Sequence, residues 1–404
     1  MSRQRAALWA FWCALGALAY SYLGFPLLTA LRALIRPRPL RQDESYRPSV
    51  SLIIAAHNEA ALILAKLENT ERLDYPPELI EVLVASDGSD DGTPELAAAW
   101  GGVRVLALPR QGKNSALNAA AAAARNEILV FTDADSMLEP QALRRLLAPF
   151  ADPEVGGVAG DFRYAGEGQR GERAYWSFDR ALKGWQSRAG SLTSASGQLY
   201  AIRRELFRTL PPGVTDDFFI SVQAPLAGRR LVFAPDAVAT GPQAATARAE
   251  FRRKVRVATA GLRGVWMARA ALNPWTHGLF ALQLLSHKLL RRLAAVPLLV
   301  LSGAAPLLWR CGPLFRLTAA GLWGLHCLGL LGFLLRDHKL GRLRLLSLPF
   351  YFELVNCAML AALASLLRGE RHDLWAPERP ASMASASALG RTSADKRSLE
   401  TLGR

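Results

Sequence analysis

Phe131-Thr132-Asp133-Ala134-Asp135 sets two carboxylates two residues apart at the end of an apolar run. Residues two apart in an extended chain project to the same side, so the spacing predicts that Asp133 and Asp135 converge on one point. Hard divalent cations take oxygen ligands, and Mg2+ is commonly held by one or two carboxylates together with substrate phosphates. The chemistry suggested is therefore a bound Mg2+ or Mn2+ facing a phosphorylated substrate. Taken alone, an Asp-x-Asp pair also fits a solvated turn.

A second acidic cluster, Ser86-Asp87-Gly88-Ser89-Asp90-Asp91-Gly92-Thr93, follows another apolar run. Asp87 falls where a strand should end, placed to accept hydrogen bonds from an imide N–H or ribose hydroxyls. Ser89 or Asp90 is expected to cap the helix that follows, which leaves Asp87 unexplained by capping. Gly112-Lys113-Asn114 precedes an alanine-rich segment. A lysine at a helix start, beside free N–H groups, suits phosphate, although the glycine spacing of a Walker loop is missing. Thr215-Asp216-Asp217-Phe218 is a third acidic site. Acids fit the first turn of a helix through the dipole. A functional reading needs one carboxylate kept off the metal to act as general base.

In this order the blocks resemble family 2 glycosyltransferases with the GT-A fold. The similarity extends to membrane-anchored bacterial enzymes of the poly-N-acetylglucosamine and cellulose-synthase type. Ser51-Leu-Ile-Ile-Ala-Ala-His57-Asn58-Glu59 resembles the first-strand motif, and Ser86 to Thr93 the nucleotide-contact turn. Gly112 to Asn118 resembles the lysine motif, Asp133-Ala134-Asp135 the metal motif, Ser196-Gly197-Gln198 the acceptor-side turn, and Thr215-Asp216-Asp217 the catalytic Thr-Glu-Asp. The resemblance implies an inverting transferase using a nucleotide-sugar donor, with UDP as the expected carrier. By it, Asp87 contacts the base, Glu59 and Asp87 flank the nucleoside, and Lys113 approaches the diphosphate. Asp133 faces the ribose and phosphates, Asp135 ligates Mg2+ or Mn2+, and Asp217 is the catalytic base. Gly197, Gln198 and Asp216 fall on the acceptor side, Asp216 standing where the family usually has Glu. The family's Gln-x-x-Arg-Trp motif is replaced by Arg253-Lys254-Val255-Arg256-Val257. Arg256 can still neutralise donor phosphate, or the basic run can attract anionic lipid. Tyr175, Trp176, Trp185 and Gln198 are candidates to line an acceptor cleft; core packing explains such aromatics equally.

The elements that must position these residues read as α/β. Strands are expected at Val50 to Ala56, Ile80 to Ala85, Val103 to Leu106 and Glu127 to Thr132. Helices are expected at Glu59 to Glu71, up to Trp100, and at Ser115 to Arg125. Alternating strands and helices imply a parallel sheet covered on both faces, with ligands outside the carboxyl ends of the strands. Residues 151 to 245 read as a mixed, irregular region that completes the site. The expected organisation is an anchor and linker at 1–48, the GT-A domain at 49–245, amphipathic interface helices at 246–291, transmembrane helices at 292–368, and a disordered tail at 369–404.

Just over half of the 404 residues are apolar and the mean hydropathy is +0.12, so apolar surface is expected to face lipid. Residues 7 to 31 form a first apolar run, with further spans expected at 293–309, 313–335 and 346–367. The net charge of +15 sits mostly beside these segments, as the positive-inside rule requires. With no aromatic-interleaved basic motif, membrane topology explains the charge better than nucleic acid does. Arg32, Arg36, Arg38 and Arg41 after the first run place the following domain in the cytoplasm of a multi-pass membrane protein. The four cysteines lack metal or disulfide spacing and read as small buried hydrophobes. The reading that follows is a transferase acting on a lipid-linked or cell-envelope glycan. The alternatives are a processive β-polysaccharide synthase and, in another class, a non-catalytic membrane scaffold.

Overall fold

The computed structural model describes residues 3–164, 170–242 and 246–370, with the side chains of 170–176 and 342 excepted. Tyr175 and Trp176 as cleft-lining side chains, and the polar tail, lie outside the described residues. The chain forms two compact units, one made of Arg38–Gly168 with Gly190–Glu250, the other of Met1–Pro37, Gln169–Ala189 and Phe251–Arg371.

The first unit is built on strands β1 (Val50–Ala56), β2 (Ile80–Asp87), β3 (Val103–Leu108), β4 (Ile128–Asp133), β5 (Met137–Leu138), β6 (Val155–Tyr164), β7 (Leu199–Arg203) and β8 (Arg230–Gly241). They make one eight-stranded sheet in the order β3-β2-β1-β4-β7-β6-β8-β5. β1 pairs in parallel with both β2 and β4, and β2 with β3. β7 runs antiparallel to β4 and β6. Every residue of β1 is buried, as expected of a strand covered on both faces. Its alternate side chains feed different cores: Ile53 packs with Leu83, Leu117, Phe131 and Tyr200 on one side. Leu52 packs with Val130, Leu143, Leu146 and Phe150 on the other.

Several expectations shift. β2 runs on to Asp87, so the acidic turn begins inside the strand. The first helix spans Ile63–Glu71, because residues 59–62 form a turn. The alanine-rich helix starts at Lys113 rather than Ser115. Residues 151 to 245 are not irregular: β6, β7 and β8 extend the sheet. The glycines of β6 disguise it as a loop, yet they are required by close approach. A Cβ on Gly156 would lie 2.7 Å from the Leu206 side chain, and one on Gly160 would lie 2.8 Å from the Ala237 carbonyl.

In the helical unit, Arg3–Ile35 (33 residues), Pro313–Leu334 (22 residues) and Arg344–Leu367 (24 residues) are long and apolar enough to cross a membrane, for which about 20 residues suffice. The first contains a π-turn at Tyr20–Gly24. At the expected span 293–309 lies a 13-residue helix, Ala295–Leu307, roughly 20 Å long, which is long and apolar enough to cross a membrane only together with the helix before it. It joins Pro274–Leu290 at a 60° bend, where Arg291 and Arg292 interrupt the apolar run. Cys13, Cys311, Cys327 and Cys357 are exposed, not buried. Most of the apolar side chains on these helices likewise face outward.

Phe11 packs with Leu301, Ala305 and Phe315 in this unit. Ser302, His326 and Glu353, from three successive helices, form a half-buried polar chain. His326 Nε2 lies 2.9 Å from Ser302 Oγ, and His326 Nδ1 lies 2.8 Å from Glu353 Oε1. These hydrogen bonds tie the three helices together.

Candidate active site

The carboxyl ends of β1, β2 and β4 stand side by side, and the acidic turns leave from them. The loop after β1 is stitched to the loop after β2. Ser89 Oγ accepts from Asn58 N at 3.0 Å, Thr93 Oγ1 from Glu59 N at 2.8 Å, and Asp91 Oδ2 from Ala60 N at 2.9 Å. Glu59 is buried there, and Asn58 adopts a left-handed φ of 56°. The expected cap by Ser89 or Asp90 is not made. Asp91 Oδ1 accepts from Thr93 N at 3.1 Å instead, because Gly92 occupies the N-cap position.

Asp87 is buried, and its carboxylate accepts from Gln111 N at 2.7 Å, Gly112 N at 2.9 Å and Arg110 Nη1 at 3.2 Å. It thus holds the loop that leads to Lys113 through the amides of Gln111 and Gly112. Gly88, at φ 59°, lets this loop close in: a Cβ there would sit 2.7 Å from the Arg110 backbone.

Lys113 then reaches two acids. Its Nζ lies 2.7 Å from Asp133 Oδ1 and 3.3 Å from Asp216 Oδ2. Burial alone would lower its pKa, but Asp133 and Asp216 together raise it well above the usual lysine value. The helix that carries Lys113 also places Asp216. Asn114 Nδ2 donates to the carbonyls of Pro211 and Val214, both at 3.0 Å, and Asn118 exchanges two hydrogen bonds with the Leu210 backbone. Asp216 and Asp217 open the short helix Asp216–Ser221. Tyr200, stacked on Phe131, donates its hydroxyl to Asp216 Oδ2 at 3.0 Å. Burial and then the Asp216 and Asp217 charges push its phenol well above the usual tyrosine range. Gly197 lies against Asp217: a Cβ there would be 3.8 Å from that of Asp217. Gln198 follows, half-buried, immediately before β7.

The extended-chain premise for the metal pair is corrected. β4 ends at Asp133, and Ala134 and Asp135 form a turn. The carboxylates nevertheless interact: burial, reinforced by the Asp133 charge, raises the Asp135 carboxyl above the usual carboxylate range. A divalent cation relieves such repulsion, so the oxygen-only donor set fits Mg2+ or Mn2+. Among the described residues no group of three or more His, Cys, Asp or Glu side chains could hold a metal. A cation at Asp133 and Asp135 would therefore draw further oxygens from substrate phosphate or water.

Among the expected residues, Lys113, Asp133, Asp135, Asp216, Asp217 and Gly197 come together here, with Glu59 and Asp87 in the adjoining strand-end loops. Arg256, on helix Ala247–Met267, and half-buried Trp185, on helix Arg170–Ala189, both belong to the helical unit. Sequence reasoning missed Tyr200 and Arg110, which contact the acids directly, and Lys66 behind the metal turn.

Residues 51–210 match the family model for glycosyl transferase family 2. The chain is 25% identical over 234 residues to the probable glycosyltransferase YdaM of Bacillus subtilis (strain 168), covering 54% of this chain and 56% of that protein. It is 29% identical over 199 residues to beta-monoglucosyldiacylglycerol synthase of Trichormus variabilis, covering 45% and 42%. The chain thus spans about half the length of the curated relatives it matches. Among solved structures, the mannosyltransferase PcManGT of Pyrobaculum calidifontis, in complex with GDP-Man and Mn2+, is similar with a TM-score of 0.68 and 27% identity. That match covers 90% of this chain and 100% of the other. Parallel strands that deliver acidic turns to one sheet end, in a region matching both the family model and a solved relative, make residues 51–210 a family 2 glycosyltransferase domain on the GT-A fold.

Proposed function

We propose that the chain transfers a sugar from a nucleotide diphosphate donor to a lipid-linked or cell-envelope glycan acceptor, in one displacement that inverts the anomeric centre. The observation that carries this reading is the meeting of Lys113 with Asp133 and Asp216, with Asp217 next in the chain and against Gly197. Asp133 and Asp135 would hold a divalent cation, which would supply Lewis-acid stabilisation of the charge left on the diphosphate. Lys113 adds a fixed positive charge on the same side. Asp217 accepts the proton of the acceptor hydroxyl as that oxygen attacks the anomeric carbon. Asp216, held by Lys113 and Tyr200, is assigned to the acceptor side. Asp87 and Glu59 flank the nucleoside, with Gly197 and Gln198 on the acceptor side.

The name of the Trichormus relative, a diacylglycerol glucosylating enzyme, favours a lipid acceptor. UDP and GDP are both carriers to test, since PcManGT was solved with GDP-Man. The helices long enough to cross a membrane support a multi-pass membrane protein. The arginines after the first helix favour a cytoplasmic catalytic domain. The missing Gln-x-x-Arg-Trp disfavours a processive polysaccharide synthase.

Asp217→Asn tests the base. Transfer should fall by about 10²–10⁴-fold while nucleotide-sugar binding, followed by calorimetry, is retained. Full turnover in the purified variant would remove Asp217 from the mechanism. An inert wild type that still binds donor would favour the scaffold reading.

A further inference from the structure

Behind the metal turn lies a lysine that no step above uses. Lys66, on helix Ile63–Glu71, is fully buried. Its ammonium donates to Thr132 Oγ1 at 3.0 Å and to the Ser136 carbonyl. These acceptors bracket Asp133 and Asp135 on both sides. Three residues further along the helix, Asn69 grips the next segment. Its Nδ2 donates to the Leu138 carbonyl at 2.8 Å, and its Oδ1 accepts from Leu138 N at 2.8 Å. Positions three apart share a helix face, so both side chains hold the stretch from Thr132 to Leu138.

Keeping an ammonium out of water is costly, and burial lowers the Lys66 pKa to about 7 against the opposing pull of Asp133 and Asp135. An apolar side chain would suit this stripe of Ile63, Leu67 and Thr70 without that cost. What a hydrophobe cannot do is join the end of β4 to the far side of the turn. Groups that orient metal ligands from behind typically matter 10–100-fold for metal affinity or activity.

We propose that Lys66, assisted by Asn69, is a positioning residue that fixes the Asp133–Asp135 turn in the geometry that takes a divalent cation. This rests on the metal reading given above.

The test measures the Mn2+ concentration that half-saturates nucleoside diphosphate binding in wild type, Lys66→Met, Lys66→Gln and Asp135→Ala, each checked for folding by thermal unfolding. Lys66→Met should raise it by about 10–100-fold, and Lys66→Gln, which keeps an N–H donor on a side chain one atom shorter, should recover part of the loss. A folded Lys66→Met with wild-type Mn2+ dependence overturns the proposal. So does tighter Mn2+ binding, which would mark Lys66 as a charge that weakens the ion and not as a support. If Lys66→Met does not fold, Thr132→Val removes one acceptor at constant shape; a shift in the same direction supports the proposal and none overturns it. Asp135→Ala separates the two levels. If it too leaves Mn2+ dependence intact, the metal reading has failed; if it abolishes dependence while the lysine variants do not, only the role of Lys66 has failed.

Discussion

Lys113→Met removes the cation that Asp133 and Asp216 share. At separations of 2.7 and 3.3 Å, the gross attractions are about 6 and 5 kcal/mol at an effective dielectric of 20. Desolvation of the ammonium offsets most of this. The net effect is set by what is left behind, and stranding a fully buried charge costs about 3–5 kcal/mol. Here the Asp133 side chain is 28% exposed and Asp216 14%, so water relieves part of the strain and a loss of about 2 kcal/mol is expected. For a unit of this size that is roughly 4–8 °C in Tm. Asp216→Asn in the Lys113→Met background removes one of the stranded charges and should restore at least half of the loss. The assay is a thermal double-mutant cycle on the metal-free protein in detergent. A Tm unchanged by Lys113→Met, or additive losses in the double variant, would refute the shared ion pair.

Glu81 accepts from Ser51 Oγ, Arg104 and Arg125 N at 2.6, 2.7 and 2.9 Å. Burial raises its carboxyl, but these donors outweigh it and bring it below its ordinary 4.5. Its stabilisation is therefore present above about pH 4.5 and lost as pH falls through the lowered value. Glu81→Gln should cost about 1.5–3 kcal/mol at neutral pH and little near pH 3, as read from paired unfolding curves; an equal cost at both would contradict the assignment. In the helical unit, His326→Ala cuts the chain from Ser302 to Glu353. It should destabilise the bundle in detergent by about 1–2 kcal/mol, whereas no loss would mean the network is not formed.

The first four strands were legible because each is a short β-branched run closed by turn residues, and their order alone predicts a parallel sheet. The acidic residues at their ends were legible for the same reason. What failed was local. β6 carries Gly156, Gly157 and Gly160, so propensity hides a strand that packing demands. Asp133 and Asp135 come together through a turn, not through strand alternation. Lys66 reads as a solvated helix position when taken by type. Its place in the stripe Ile63, Lys66, Leu67, Thr70 was a usable sign of burial, since all of these are buried. Tyr200 left no such sign, because its contact with Asp216 depends on β7 pairing beside β4.

The most direct test of the central claim is calorimetric titration of UDP and GDP onto the purified protein, with Mn2+ and with EDTA, in wild type and Asp135→Ala. Binding of at least one nucleotide should require Mn2+ and vanish in the variant. Equal binding in EDTA, or an unchanged isotherm in Asp135→Ala, would contradict metal-dependent nucleotide binding at Asp133 and Asp135.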